Sequence, residues 1–190
     1  MDPLVHTRDQ GTVETVDFTR RTCSEEGKDC PIGRKSDGHR FLGDSKGVIY
    51  IDYLEKGKTV TGLYYAELLD RFDAELQKKR LHLAKRKVLF HHDNAPAHTS
   101  ALATAKLVEL GYELLPHPPY SPDLAPCDFF LFPNLKKSLA GQKFESNEEV
   151  IAATEAYFAD LEKRYFSDGL KKLEHRWVKC IELKGDYVEK

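Results

Sequence analysis

The sequence lacks any apolar run long enough to cross a membrane. A transmembrane helix needs about 20 consecutive apolar residues, and each apolar stretch in these 190 residues is much shorter. The first residues also lack the basic and then apolar pattern of a secretory signal peptide. We therefore expect an intracellular protein that does not bind membranes.

Cysteine is scarce, and its four positions are scattered. No two cysteines form the Cys-x-x-Cys spacing that is typical of structural zinc sites. Disulfides are rare in intracellular proteins, so reduced thiols are expected. The sequence therefore predicts neither a zinc site nor a disulfide-linked fold. The cysteines are Cys23, Cys30, Cys127 and Cys180.

An excess of positive charge is also missing, since 29 Lys and Arg residues face 31 Asp and Glu residues. Any contact to a DNA backbone must therefore come from local clusters of basic residues. Such clusters are also common as solvated helix ends, and binding through phosphates alone is salt-sensitive and nonspecific. The candidates are Lys78, Lys79, Arg80, Lys85, Arg86 and Lys87 in one cluster and Lys136, Lys137 and Lys143 in another.

Two parts of the chain differ in character. Residues 1–43 are rich in glycine, charge and cysteine, so we interpret them as loosely structured or disordered, with one weak strand at 12–18. From Asp44 onwards strands alternate with amphipathic helices, which predicts an α/β domain over 44–190 with a parallel or mixed sheet. Predicted strands cover 48–54, 87–92 and 112–118, and predicted helices cover 62–84 and 147–163. Another predicted helix is lined by Ala101, Leu102, Ala105 and Val108 and ends at Gly111, and a last helix carries Leu170, Leu173, Trp177 and Ile181 on one core face.

The stretch VLFHHDNAPAHTS, residues 88–100, places polar side chains directly after a buried strand. Ligand sites in α/β sheets lie at the carboxyl ends of strands, and Asp93 and Asn94 are predicted to stand at such an edge. A carboxylate here also fits a helix N-cap or a turn, and Pro96 fits a first helical turn equally well. Asp93 by itself does not decide between these interpretations.

A second carboxylate, Asp128, follows with 34 residues between it and Asp93. One predicted helix and one predicted strand fill this interval, so both carboxylates can return to the same edge of the sheet. Paired carboxylates suit Mg²⁺ or Mn²⁺, and two such ions can activate a water or a 3′-hydroxyl in phosphodiester chemistry. Asp123 is a competing candidate, although Ser-Pro-Asp is typical of a turn.

The histidines of this stretch, His91, His92 and His98, raise the alternative of a transition-metal site. A histidine beside a metal-binding carboxylate more often hydrogen-bonds to that ligand or to the substrate. We therefore predict that His92 and His98, together with Asn94, support the carboxylates or contact the substrate. Plain structural packing is the remaining alternative.

Several long motifs resemble the catalytic domain of mariner-family transposases over about Asp44 to Lys190. They are GVIYIDYLEKGKTVTG, HHDNAPAHTS, HPPYSPDLAPCDFFLFPNLKKSLAG and WVKCIELKGDYVEK. The resemblance implies an RNase H-like fold with C-terminal helices, and metal-dependent DNA cleavage and strand transfer in the nucleus. It also implies a triad of three metal-binding aspartates, in which Asp93 and Asp128 match the second and third.

The motif YSPDL matches a family motif that is linked to folding and to transposase–transposase contact. The resemblance therefore implies a homodimer or a transposase-like partner in addition to DNA. The residues of the motif are Tyr120, Ser121, Pro122, Asp123 and Leu124.

The match is incomplete on its N-terminal side. The family's first aspartate lies on the first strand in a Gly-Asp-Glu-x-Trp context, which residues 1–43 do not contain. Asp17 is the one replacement that we can suggest, and a charged residue in a loose segment is the other interpretation. The family's helix-turn-helix half, which reads bases in the major groove, is also missing. We therefore expect a missing or improvised first strand and weak or no cleavage, with a non-catalytic domesticated or remnant fragment that binds DNA or a partner as the alternative.

Overall fold

The fold is described from a computed structural model over residues 15–19, 39–55, 57–83 and 87–188, with 15–19 and 39 described by their backbone alone. Five strands form one sheet: β1 (Thr15–Thr19), β2 (His39–Asp44), β3 (Gly47–Tyr53), β4 (Leu89–His91) and β5 (Glu113–Leu115). Their order is β3-β2-β1-β4-β5. The pairs β1–β2 and β2–β3 are antiparallel, and the pairs β1–β4 and β4–β5 are parallel. The mixed sheet predicted from the sequence is therefore confirmed.

Strand β1 lies in the middle of this sheet. It pairs Asp17 with Leu42 of β2 and Val16 with His91 of β4. A strand thus occupies the place where we expected a missing or improvised one, and the sheet extends to the N-terminal side of Asp44. The predicted domain boundary at that residue stays a prediction.

Helices cover both faces of the sheet. They are α1 (Gly62–Lys79), α2 (Ala101–Glu109), α3 (Phe132–Leu139), α4 (Asn147–Asp160) and α5 (Lys163–Glu182), with a 3-10 turn at Pro122–Leu124 and a π-helical turn at Cys127–Leu131. Hydroxyl caps begin three of them, because the side chains of Thr61, Ser100 and Ser146 accept backbone N–H bonds from the first turns. No helix in the described part of the chain is long and apolar enough to cross a membrane.

Helix α1 ends five residues earlier than the sequence predicts. Arg80 leaves the helical conformation directly after Lys79, and its guanidinium binds both carboxylate oxygens of Asp44, at 2.7 and 3.1 Å. Asp44 also accepts the backbone N–H of Lys46 in the β2–β3 turn. The end of α1 is therefore held to the β2–β3 turn by an ion pair. The helical pattern of the sequence does not predict this ion pair.

The apolar core is divided between the two faces of the sheet. Successive side chains of a strand point to opposite faces, and Phe41 and Leu42 of β2 accordingly belong to different clusters. The cluster around Leu42 includes α1 and α2, whereas the cluster around Phe41 includes α3, α4 and α5. We name these the α1-side core and the α5-side core.

The predicted core face of α5 is only partly correct. Leu173 is buried and Leu170 packs against the α5-side core. Ile181 is 58% exposed, so its assignment to the core was wrong. Ile181 lies in the last turn of α5, which ends at Glu182, and most of its surface meets solvent.

Asp52 is predicted to be essential for stability, because it pairs with a buried cation. The Arg40 guanidinium donates to its carboxylate at 3.0 Å, with both side chains almost fully buried, and the Tyr64 hydroxyl donates at 2.7 Å. Asp52→Ala leaves the charge of Arg40 buried and uncompensated, so we expect a loss of about 3 kcal/mol in the free energy of unfolding, measured in urea.

The matched control is Asp70→Ala, which removes a half-exposed partner of Lys106. Its expected cost is less than about 1 kcal/mol. Equal losses in the two variants would contradict the assignment of Asp52 to a buried pair.

Candidate metal-binding and active site

Asp93 lies in the loop that follows β4, with its carboxylate held on one side. Its Oδ1 accepts a hydrogen bond from the backbone N–H of Ala95 at 3.0 Å and one from Nδ1 of His98 at 2.6 Å. The other oxygen, Oδ2, receives no hydrogen bond from the residues that the structure describes. The side chain is 41% exposed. One oxygen is therefore fixed while the other can accept a ligand from solvent.

The surroundings of Asp93 favour its charged form. Partial burial acts to raise the pKa of this carboxyl, but the hydrogen bonds from His98 and from the Ala95 N–H act in the opposite direction. The net result is a pKa below the ordinary value. Asp93 is therefore a carboxylate at neutral pH, which is the form that binds a divalent cation.

Two further aromatic side chains hold His98 in place. Its ring stacks on that of His92, with centroids 5.2 Å apart, and lies 4.1 Å from the ring of Tyr65. The Tyr65 hydroxyl contacts Nδ1 of His92 at 3.0 Å. Burial, with a smaller contribution from the neighbouring His98, lowers the pKa of His92 to about 3, so this ring is neutral at pH 7. His98 thus contacts Asp93 directly, whereas His92 contacts His98 and Tyr65.

The side of the loop opposite His98 is held by His117, which the sequence analysis did not identify. The Asn94 amide donates to the His117 carbonyl at 2.7 Å, and the His117 ring contacts Nε2 of His91 at 3.1 Å. Burial is the main cause that lowers the pKa of His91 to about 4. His117 follows β5, the parallel neighbour of β4, so strand order would have indicated that the two loops meet.

Asp128 lies in the π-helical turn Cys127–Leu131. Its backbone N–H donates to the Ala125 carbonyl at 2.8 Å, and the side chain is partly buried. Turns of this kind are rare and occur frequently at functional sites. Phe129 and Phe130, which follow Asp128, pack into the α5-side core.

Helix α5 contacts both segments that carry the carboxylates. The Trp177 ring meets the His91 ring edge-on at 6.2 Å, two residues before Asp93. The Arg176 guanidinium lies 4.2 Å from the centre of the Phe129 ring, one residue after Asp128. Two adjacent residues of one helix therefore join the end of β4 to the π-helical turn.

The competing carboxylate Asp123 has a structural environment. It is buried, its Oδ2 accepts the backbone N–H of Val188 at 2.8 Å, and its carbonyl accepts a bond from Arg176. Within the same YSPDL motif, Tyr120 is 90% exposed and its carbonyl accepts the Tyr187 hydroxyl. The motif thus combines a buried anchor for the C-terminal segment with an exposed aromatic ring.

A third metal-binding side chain is not found among the described residues. No group of three His, Cys, Asp or Glu side chains in the described part of the chain is arranged to hold a metal ion. The side chain of Asp17 lies outside that part, and its strand is known only from the backbone. Carboxylate oxygens are ligands that suit Mg²⁺ and Mn²⁺, and a metal site shared by Asp93 and Asp128 stays a prediction.

All four described members of the first basic cluster are engaged within the chain. Lys78 pairs with Glu75, and Lys79 donates to the Ile49 carbonyl. Arg80 pairs with Asp44, and Lys87 pairs with Glu113. Lys85 and Arg86 lie outside the described residues. Lys136 and Lys137 are exposed on α3, without an ion pair to any described side chain. The second cluster is therefore the more available surface for an anionic partner.

Comparisons with known proteins show what this chain is similar to. Residues 41–86 match the family model described as "Transposase (partial DDE domain)". The chain is 41% identical over 148 residues to the mariner Mos1 transposase of Drosophila mauritiana, an alignment that covers 77% of this chain and 43% of that protein. It is 36% identical over 144 residues to the histone-lysine N-methyltransferase SETMAR of Homo sapiens, covering 75% of this chain and 21% of that protein. The chain thus spans less than half the length of either relative.

The fold has a solved counterpart as well. The structure of the Mos1 transposase catalytic domain with raltegravir and Mn has a TM-score of 0.83 to this chain, at 34% identity. The match covers 94% of this chain and 86% of that one. The RNase H-like fold class expected from the motifs is therefore confirmed.

His98→Ala is predicted to raise the pKa of Asp93, because it removes the hydrogen bond that favours the carboxylate. A carbon-13 NMR titration of the Asp93 carboxyl measures the midpoint. In the wild type, the charged form of Asp93 stabilises the fold at pH values above the ordinary pKa of a carboxyl group. This stabilisation is lost as the pH falls through the lowered pKa that Asp93 has in the folded protein. The stability of the His98→Ala variant should fall much less over this pH range.

Tyr65→Phe serves as the control, since it keeps the ring beside His98 and removes only the hydroxyl that contacts His92. The pKa of Asp93 should stay at its wild-type value in this variant. An unchanged midpoint in His98→Ala would show that the contact from His98 does not set the charge of Asp93.

Proposed function

Because the chain belongs to the mariner transposase family, we propose that it is a transposase-derived domain in which Asp93 and Asp128 bind a divalent metal ion next to DNA. The observation that carries the proposal is the state of Asp93, a charged carboxylate with one oxygen fixed and the other available. Asp128 supports it through the matching spacing and through the shared contacts with α5.

The ion that these ligands fit is Mg²⁺ or Mn²⁺, which prefer carboxylate oxygens. When bound, such an ion polarises a phosphodiester and lowers the pKa of the attacking water or hydroxyl. The chain's own residues prepare the site. His98 and the Ala95 N–H fix one oxygen of Asp93 and keep the group ionised, and the His117 carbonyl orients the Asn94 amide beside it.

The proposed partner is DNA, bound through its phosphates and without strong sequence preference. Lys136 and Lys137 lie on α3, which begins directly after the turn that carries Asp128. Because Lys136 and Lys137 follow Asp128 closely in the chain, they can contact the phosphates of a DNA strand that reaches the carboxylates. Such binding weakens as the salt concentration rises. Action on chromosomal DNA would place the protein in the nucleus.

A second copy of the chain, or a transposase-like partner, is also proposed. The support is the YSPDL motif together with the exposure of the Tyr120 ring. The backbone of Tyr120 has a positive φ of 53°, which is an uncommon conformation for a residue with a large side chain.

A non-catalytic role is the second candidate function. It is favoured by the described part of the chain, in which two carboxylates but no set of three ligands can be assigned. A misplaced or weakly held ion costs much of the rate of phosphodiester chemistry. The similarity to a protein that is named for histone methylation shows that such a sequence also occurs within proteins of other stated activity.

Titration with Mn²⁺ tests the proposal through Trp177, the single tryptophan of the sequence. Because this ring contacts His91 near Asp93, a paramagnetic ion at the site should quench its fluorescence saturably. We expect Asp93→Asn and Asp128→Asn each to weaken the apparent affinity at least about tenfold, since each removes one ligand. Asp168→Asn, the same substitution at an ion-paired surface position of α5, is the control and should bind like the wild type.

The same samples are then incubated with Mn²⁺ and DNA that carries mariner-type ends. Saturable metal binding with little or no nicking is the expected result. Nicking that is lost in Asp93→Asn and kept in Asp168→Asn would favour a complete catalytic site over the non-catalytic candidate. A wild type without saturable quenching would contradict the metal site itself.

A further inference from the structure

The side chain of Arg176 joins two turns that belong to the segment around Asp128. Its Nη1 donates to the Asp123 carbonyl at 3.0 Å, within the 3-10 turn. Its guanidinium also lies 4.2 Å from the centre of the Phe129 ring, within the π-helical turn. A planar cation over an aromatic face is attracted by the ring's negative charge density. One side chain of α5 thus contacts a residue before Asp128 and a residue after it.

Helix α5 approaches this turn closely because residue 169 is glycine. A Cβ atom at Gly169 would lie 2.5 Å from Cε1 of Phe130, a distance that side-chain atoms do not tolerate. The Lys172 ammonium lies 4.5 Å from the centre of the same ring. The contact between α5 and the two residues after Asp128 is therefore continuous from Gly169 to Arg176.

The next residue of α5 faces the other carboxylate segment. Trp177 meets His91 at the end of β4, and His91 in turn contacts His117. Arg176 and Trp177 are adjacent in sequence, so any shift of this turn of α5 moves both contacts together. The relative position of the two carboxylate-bearing segments is thereby tied to one helical turn.

We propose that Arg176 is a positioning residue of the metal site, which acts by holding the turn of Asp128 against the α5 turn that also contacts the end of β4. The inference rests on the proposed function, because it assumes that Asp93 and Asp128 share an ion. Arg176 does not itself bind the ion. It sets where one ligand stands, and loss of such supporting contacts in metal sites typically lowers affinity 10- to 100-fold.

The test uses the full chain and three variants at arginine positions. Arg176→Ala removes both contacts, Arg176→Lys keeps a cation without the planar group, and Arg164→Ala is the control. Arg164 lies on the same helix, has an 85% exposed side chain and pairs only loosely with Asp168, at 3.6 Å. Mn²⁺ affinity is measured from the free-ion signal in electron paramagnetic resonance, which does not depend on the neighbouring Trp177.

A second readout reports position without any metal. Amide hydrogen exchange is followed in residues 89–94 and 125–131, including the Asp128 N–H that donates to Ala125. We expect Arg176→Ala to bind Mn²⁺ about tenfold more weakly and to exchange faster in both segments. Arg176→Lys should recover part of the affinity, and Arg164→Ala should match the wild type.

Each outcome decides the inference. Wild-type Mn²⁺ affinity in a folded Arg176→Ala variant overturns it. If the wild type binds no Mn²⁺, the proposed function fails and with it the role of Arg176 in a metal site. Exchange then tests only whether Arg176 holds the two segments: faster exchange in both supports that contact, and unchanged exchange overturns it. If Arg176→Ala does not fold, Phe129→Leu removes the ring under the guanidinium and is judged by the same two readouts.

Discussion

Strand β1 holds the two halves of the sheet together, and the position of the candidate site depends on it. It is paired with β2 of the antiparallel hairpin on one side and with β4 of the parallel half on the other. Without this strand, β2 and β4 would each become an edge with unsatisfied backbone groups. Because Asp93 lies two residues after the end of β4, the five residues Thr15–Thr19 help to place it relative to the rest of the domain.

The two carboxylates are held from opposite faces of this sheet. Asp93 is held by His98, whose ring packs against Tyr65 of the α1-side core. Asp128 is held through the aromatic residues that follow it, which pack into the α5-side core. The two candidate ligands are therefore supported by different cores. Helix α5 reaches both segments, because Trp177 contacts His91 at the end of β4 and Arg176 contacts Phe129 in the π-helical turn.

Sequence patterns predicted those parts of the fold that depend on neighbouring residues. The alternation of strands and helices is a local signal, and the structure contains it. Contacts between distant residues could not be read in the same way. The ring of His117 beside His91, the Arg176 contact with Phe129 and the ion pair that ends α1 each join residues far apart in the chain. The roles of Asp93 and Asp128 came from motif and spacing and remain predictions, because a shared ion depends on a distance that no local pattern contains.

The most direct measurement is anomalous diffraction from crystals of this chain grown with MnCl₂. A shared metal site predicts a manganese peak within coordination distance of the carboxylates of both Asp93 and Asp128, and any third ligand would be visible in the same map. A map in which the two carboxylates are too far apart to share an ion, or in which manganese binds only elsewhere, would contradict the proposed site.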